Sequence, residues 1–129
     1  MTIELTMLLY SVGLLMLVLL IQATAGILAN GLLAQAGSRD DLPEKQVFHA
    51  RVTRLRDNSI ENLLMFAPVV LVANLAGVSN DMTVLGAQLF FYARVVHAVI
   101  YLAAVPLIRP VPFAVAWVGI IMIARHLRV

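Results

Sequence analysis

The sequence predicts an all-α integral membrane protein, a four-helix bundle with up-down topology. Of its 129 residues, 62% are hydrophobic and only 12% are charged, whereas soluble domains carry about 25% charged residues. In addition, four long apolar segments are separated by short polar or proline-containing stretches. A chain of this length is expected to form a single domain over residues 1–129.

The first apolar segment runs from Leu5 to Ala36, contains no proline and is preceded only by Glu4. As one continuous helix it would measure roughly 48 Å, so it must tilt or project beyond a hydrocarbon core of ~30 Å. The segment lacks a basic N-terminal region and is too long for a secretory signal peptide.

The other three helices are bounded by turn residues and prolines. The second is predicted from about Pro43 to Ala76, because proline and acidic side chains at 41–44 favour a helix start. Pro68 should kink this helix. The third is predicted over about Met82 to Val105 and the fourth over about Pro112 to Ala124, with a tight proline-bracketed loop between them.

Basic residues are biased toward one side of the predicted membrane. Six of them lie in or near the first and third loops, and two lie at the C-terminus: Arg39, Lys45, Arg51, Arg54, Arg56 and Arg109, against Arg125 and Arg128. The positive-inside rule then predicts that these two loops are cytoplasmic and that both termini lie on the opposite side. So few charges do not indicate nucleic-acid binding.

A polar stripe enters the second apolar segment with the pattern Arg51-x-x-Arg54-x-x-x-Asn58-x-x-Glu61. On an α-helix these four positions fall within roughly 80° of each other. Polar groups that approach a bilayer are costly without partners, so they are candidate functional residues.

A second stripe, Arg94-x-x-His97-x-x-x-Tyr101, repeats this spacing inside an apolar part of the third helix. Arg94 should face the bundle and have a partner, since a charge facing lipid costs roughly 3 kcal/mol or more. Glu61 is the only carboxylate placed to reach it, so we expect Arg94 and Glu61 to be close in space.

Structural interpretations stand beside the functional ones. Arg51 and Arg54 could contact phospholipid headgroups, and His97 could be a hydrogen-bonded core histidine. Tyr101 could be an interfacial aromatic anchor, and Arg109 could be an ordinary positive-inside charge.

Metal and thiol sites within the protein are not expected. The chain has no cysteine, which excludes disulfides and a protein cysteine nucleophile. No histidine pair has ligand spacing on one helix, so no metal site is predicted. His49 and His126 are expected on the surface.

In this order and at these separations, the two stripes and Arg109 resemble the MAPEG family, the membrane-associated proteins in eicosanoid and glutathione metabolism. The family includes microsomal glutathione transferases and prostaglandin E synthase, and the resemblance covers about residues 43–125. It implies a homotrimer of four-helix bundles that binds glutathione between subunits, toward the cytoplasmic face.

The resemblance also implies residue roles, with glutathione as the co-substrate. Six residues match positions that bind or support it: Arg51, Asn58, Glu61, Arg94, His97 and Tyr101. Arg54 is either structural or part of the binding site. Arg109 matches an arginine that stabilises the glutathione thiolate, the catalytic role here, since a fixed cation in a dry site lowers a thiol pKa from its usual value of about 8.5.

The implied function is that of a membrane-bound glutathione-dependent transferase or peroxidase acting on lipophilic electrophiles or lipid hydroperoxides. Pro110 and Asp57 depart from the prostaglandin synthase pattern, in which a serine and a basic residue stand at these positions, so that activity is not expected. The alternative is a non-catalytic lipid- or glutathione-binding scaffold of the same family. A proton-coupled exporter is disfavoured because Glu4, the only acid of the first helix, lies at its very end.

Overall fold

The computed structural model describes residues 1–37, 47–104 and 110–127, and every regular element in these ranges is a helix. The helices are α1 (Ile3–Asn30), α2 (Leu32–Ala36), α3 (Val47–Leu75), α4 (Asp81–Leu102) and α5 (Pro110–Ala124). Three of them, α1, α3 and α4, are long and apolar enough to cross a membrane, and α5 is a shorter apolar helix. The composition of the chain and the lengths of its helices therefore both indicate a membrane protein.

The first apolar segment was expected to form one continuous helix through Ala36. The structure differs, because the helix ends at Asn30 and the backbone breaks at Gly31. Gly31 has φ 85° and ψ 156°, and its N–H donates to the carbonyl of Ile27 as a cap on α1. Only glycine adopts such a positive φ without strain. The segment has continuous hydropathy across the break because α2 consists of leucine and alanine with a single glutamine.

The N-terminus of α1 is joined to the α3–α4 connection by a buried carboxylate. Glu4, which is 3% exposed, accepts hydrogen bonds from the hydroxyls of Thr83 (2.6 Å) and Ser79 (2.9 Å). Thr83 also belongs to the capping box with which Asn80 begins α4. One cluster of polar groups thus caps a helix and connects α1, α3 and α4 at this end, where it borders a cavity of about 120 Å³.

Helix α3 continues through Pro68 without interruption from Val47 to Leu75. Its predicted start at residues 43–46 lies outside the described residues.

The side chains of α3 that face α1 and α4 form the core, in which Phe66 stacks on Phe90 at a centroid distance of 3.9 Å. Gln22 lies against His49, and Glu4 shares a cavity with Val70, so α1 and α3 run antiparallel.

Helices α4 and α5 approach at their backbones through two glycines. A Cβ added to Gly86 would lie 2.7 Å from the carbonyl oxygen of Gly119, and a Cβ on Gly119 would collide with the carbonyl oxygen of Gly86. Such small-residue contacts let helices pack closely where no hydrophobic effect favours their association. Gly86 lies in the N-terminal half of α4 and Gly119 in the C-terminal half of α5, so these two helices are also antiparallel.

Much of the apolar surface faces outward. Leu28, Leu33 and Leu75 are more than 80% exposed, while buried polar side chains include Ser11, Gln22, Asn62 and Arg94. This distribution is the reverse of that of a soluble domain, in which polar groups are mostly outside. It suits a protein whose outer surface contacts lipid or further protein.

We expect Gly119→Ala and Gly86→Ala to destabilise the protein by about 1–3 kcal/mol, because each Cβ forces the α4 and α5 backbones apart. Thermal unfolding in detergent micelles, followed by circular dichroism, measures this as a lower Tm. Gly13→Ala in the middle of α1 is the matched control. No atom lies within 4 Å of its added Cβ, so it should be neutral or stabilising by up to ~1 kcal/mol. Equal Tm values for Gly119→Ala and Gly13→Ala would contradict the close contact.

Candidate functional site

All four residues of the first polar stripe lie on α3, and they differ in exposure. Arg54 and Glu61 are exposed on the outside of the molecule, whereas Arg51 and Asn58 are half-buried. The stripe therefore begins against α4 and emerges on the outer surface of an otherwise apolar helix.

The two arginines of the stripe contact the last turn of α4. Nη1 of Arg51 donates to the carbonyl oxygen of Leu102 at 3.4 Å, and Nε of Arg54 donates to the hydroxyl of Tyr101 at 3.1 Å. A guanidinium beside the final carbonyls of a helix satisfies acceptors that have no partner in the helix, and it interacts favourably with the helix dipole. The two predicted stripes are thus joined at this end of the molecule.

Tyr101 packs against His97, one turn earlier on α4, with ring centroids 5.6 Å apart. His97 is only 4% exposed, whereas Tyr101 is half-buried. Tyr101 therefore lies closer to the surface of the molecule than His97.

Asn58 is held by Asn62, a residue that the sequence analysis did not single out. Nδ2 of Asn62 donates to the backbone carbonyl of Asn58 at 2.8 Å and lies 3.4 Å from its Oδ1. Asn62 is 1% exposed, and its Oδ1 has no hydrogen-bond partner among the described residues. Asn58 and Asn62 are four residues apart at the start of an apolar segment, and this spacing could have predicted their contact from the sequence.

Arg94 and Glu61 were expected to be close in space, but they form no ion pair within this chain. Nη2 of Arg94 donates to the hydroxyl of Ser59 at 3.2 Å, and the only ion pair among the described residues joins Arg56 to Asp57. Ser59 and Glu61 are two positions apart, so they point roughly 200° away from each other on α3. The prediction of Glu61 rests on charge alone, whereas the hydroxyl of a serine can also accept a hydrogen bond from a guanidinium.

Arg94 lies in the interior, 4% exposed, against a small cavity between α1, α3 and α4. Arg94 and His97 were both predicted to bind glutathione. For either to do so directly, the ligand must reach the inside of the helix assembly; otherwise Arg94 can act only through Ser59. The position of Arg109 lies outside the described residues, so its role stays a prediction. Pro110, one position later, begins α5.

His49 was expected on the surface, but it is buried between α1 and α3. Its Nε2 lies 3.4 Å from the amide nitrogen of Gln22. It also borders a cavity of about 470 Å³ whose other walls are mostly apolar side chains of α1. The helical spacing of His49 to the buried Val52 was the sequence signal that could have placed it on the inner face. His126, also expected on the surface, is half-buried and bonds to the carbonyl of Met122.

In the comparison with known families, residues 5–128 match the model of the MAPEG family. The match includes α1, which lies outside the region that carried the resemblance in the motifs. Comparisons with curated proteins and with solved structures found no match.

The Arg51 contact predicts that Arg51→Gln loosens the end of α4. Losing a guanidinium at a helix C-terminus costs about 0.3–1 kcal/mol, which corresponds to roughly two- to five-fold faster amide exchange in residues 100–104. Hydrogen–deuterium exchange by mass spectrometry measures it. Arg56→Gln is the control, because Arg56 pairs with its neighbour Asp57 at 3.0 Å. Unchanged exchange in Arg51→Gln would show that the contact does not stabilise α4.

Proposed function

This chain belongs to the MAPEG family, and from that premise we propose that it is a membrane-bound glutathione-dependent transferase or peroxidase. Its second substrate would be a lipophilic electrophile or a lipid hydroperoxide. The family match over nearly the whole chain is the observation that carries the proposal. Membership supports a glutathione-related membrane enzyme, and the reaction is our inference from the residues.

The outward polar stripe on α3 supports a ligand or subunit contact at this face. Glu61 is exposed on a helix apolar enough to cross a membrane, and it has no hydrogen-bond or ion-pair partner among the described residues. A carboxylate in that setting is costly unless something outside the protomer pairs with it. A bound peptide-like ligand with an ammonium group, or a basic residue of another subunit, would supply that partner.

We therefore propose that four-helix protomers assemble into a homotrimer, with glutathione in clefts between subunits. The fourth helix of the bundle is α5, which at 15 residues is roughly 22 Å long and shorter than a hydrocarbon core of ~30 Å. Its packing on α4 through Gly119 supports its place in the protomer. The apolar outer surfaces of α1 and α3 would contact lipid and the other subunits.

Glutathione carries two carboxylates, an ammonium, two amides and a thiol, and the stripe offers complementary groups. Arg51 suits a carboxylate, Asn58 an amide, and Glu61 the ammonium. Tyr101 adds a hydroxyl beside them, positioned by Arg54. Because Arg94 and His97 are buried in one protomer, we assign them to the inner wall of the site, where they would support the residues that touch the ligand.

Arg109 is the residue that we propose to hold the thiol as thiolate. In a dry site a fixed cation favours the ionised form, which is the nucleophile in both conjugation and peroxide reduction. Attack of the thiolate on an electrophilic carbon forms the conjugate. Attack on the terminal oxygen of a hydroperoxide instead breaks the O–O bond and gives the alcohol and the sulfenic acid of glutathione. A second glutathione then displaces water from the sulfenic acid and forms the disulfide.

A non-catalytic scaffold that binds lipid is the second candidate. The observation that favours it is the cavity of about 470 Å³ between α1 and α3, lined mostly by apolar side chains such as Leu20, Leu28 and Phe48. Glutathione binding by calorimetry separates the two candidates. A protein in lipid nanodiscs that binds no glutathione at millimolar concentration would be the scaffold.

For orientation, we propose that the connections before α3 and before α5 face the cytoplasm and that both termini lie on the other side. Because the chain has no cysteine, single cysteines placed in each connection report sidedness without background. A membrane-impermeant maleimide should label the two connections and the termini from opposite sides.

If glutathione binds on the α3 stripe, Glu61→Gln should weaken its binding by about 10- to 100-fold, the loss expected for a charge-assisted hydrogen bond of about 1.5–3 kcal/mol. Isothermal titration calorimetry in nanodiscs measures the Kd. Asp57→Asn, also an exposed acid on α3 but paired with Arg56, is the matched control. Equal Kd values for the two variants would remove Glu61 from the site.

The catalytic assignment has its own test, the absorbance of the thiolate near 240 nm on adding glutathione. We expect Arg109→Ala to lose most of this signal at neutral pH, because the pKa of the thiol returns toward its value in water, about 8.5. The affinity for glutathione should fall by a smaller factor than the thiolate signal. If Arg109→Ala forms as much thiolate as the unsubstituted protein, another group stabilises it.

A further inference from the structure

We propose that one small monovalent cation, such as sodium or potassium, binds beside Glu4 at the end of the molecule where α1 and α4 begin. The site is the cavity of about 120 Å³ between the start of α1, the last turn of α3 and the connection from α3 to α4. The polar stripe that we assign to glutathione begins at the opposite end of α3. The cation site is therefore separate from it and does not rest on the proposed function.

The negative charge of Glu4 is not balanced by a cation of the protein. Its side chain is 3% exposed, and its partners are the neutral hydroxyls of Thr83 and Ser79. No basic side chain of the described residues lies within 4 Å of the carboxylate, and Arg125, which follows α5 at this end, is exposed. The start of α1 contributes only the partial charge of a helix N-terminus. A buried carboxylate without a full counter-charge is unfavourable, even when hydroxyls donate to it.

The last turn of α3 brings a negative helix end to the same cavity. In its glycine cap, the N–H of Val78 donates to the carbonyl of Ala73, and the N–H of Gly77 donates to that of Asn74. No basic residue in this turn offsets the negative end of the helix dipole, and cations are favoured at such an end. Asn74 lies on the cavity wall and has a side-chain oxygen that can bind a cation. The helix end and the carboxylate of Glu4 therefore both favour a cation.

The volume of the cavity and its oxygen atoms indicate the class of ion. One water molecule needs roughly 10–15 Å³, so a cavity of about 120 Å³ accommodates an ion with several waters. Calcium takes six to eight oxygen ligands, often from several carboxylates, whereas Glu4 is the one acid among the described residues on these walls. The described residues contain no cluster of three histidine, cysteine or acidic side chains that would favour a transition metal. One carboxylate with neutral oxygens suits a monovalent cation.

The experiment compares the chloride salts of sodium and potassium with that of N-methyl-D-glucamine, an organic cation too large for the cavity, at constant ionic strength. We expect sodium to raise the Tm of the protein in detergent micelles by a few degrees in a saturable way, as for any ligand that binds only the folded state. Line broadening of the sodium-23 NMR signal measures binding directly, and potassium should reverse it. A Tm that is the same in sodium and N-methyl-D-glucamine would mean that the cavity holds only water, and it would overturn the proposal.

A matched pair of variants locates the effect. Glu4→Gln removes the charge but keeps an oxygen that can accept from the hydroxyl of Thr83, so it should abolish the dependence of Tm on sodium. Asp81→Asn is the control, because Asp81 is an exposed acid at the same end of the molecule and does not line the cavity. Sodium dependence that persists in Glu4→Gln, or that disappears in Asp81→Asn, would overturn the site.

A further variant tests the site if Glu4→Gln does not fold. Asn74 is exposed, and its side chain makes no hydrogen bond to a described residue. Asn74→Ala should therefore fold and weaken sodium binding by about tenfold. In that case, undiminished sodium binding in Asn74→Ala overturns the site. Glutathione affinity, measured separately, tests the proposed function and not this one.

Discussion

A polar side chain inside an apolar helix assembly needs a partner within the protein, because lipid and aliphatic neighbours offer none. This constraint operates at three levels along the molecule. At one end Glu4 is held by Thr83, and at mid-depth Arg94 is held by Ser59. At the other end the guanidinium of Arg51 reaches the last turn of α4. Each contact joins residues that are at least 35 positions apart in the chain, so together the contacts align the helices along their length.

Helix α4 takes part in all three contacts, and the proposed site depends on its placement. Its first turn supplies Thr83, its middle supplies Arg94, and its last turn supplies the carbonyl of Leu102 beside the hydroxyl of Tyr101. Gly86, one turn from Thr83 on α4, makes the close contact with Gly119 of α5. A shift of α4 along α3 would therefore separate Arg54 from Tyr101 and move the inner wall of the site away from the outward stripe.

Helix spans were predictable because length, hydropathy and proline positions are local properties. The predicted ends of the third and fourth helices lie within three residues of those of α4 and α5 over the described part of the chain. The break at Gly31 was missed, since glycine in an apolar run does not reveal whether it adopts a positive φ. The burial of His49 was missed because hydropathy weighs a residue by type, whereas the helix face decides which side chains are inside.

The sequence alone determined that this is a helical membrane protein of the MAPEG family, with polar residues at helical spacing on two of its segments. Motif spacing and composition carry that information without any knowledge of neighbours in space. Only the tertiary structure decided that Arg94 pairs with Ser59 and not with Glu61, and that Glu61 faces outward. The rotation of α3 about its axis determines which of its side chains face Arg94. Core contacts between residues far apart in the chain, such as Phe66 stacked on Phe90, fix that rotation.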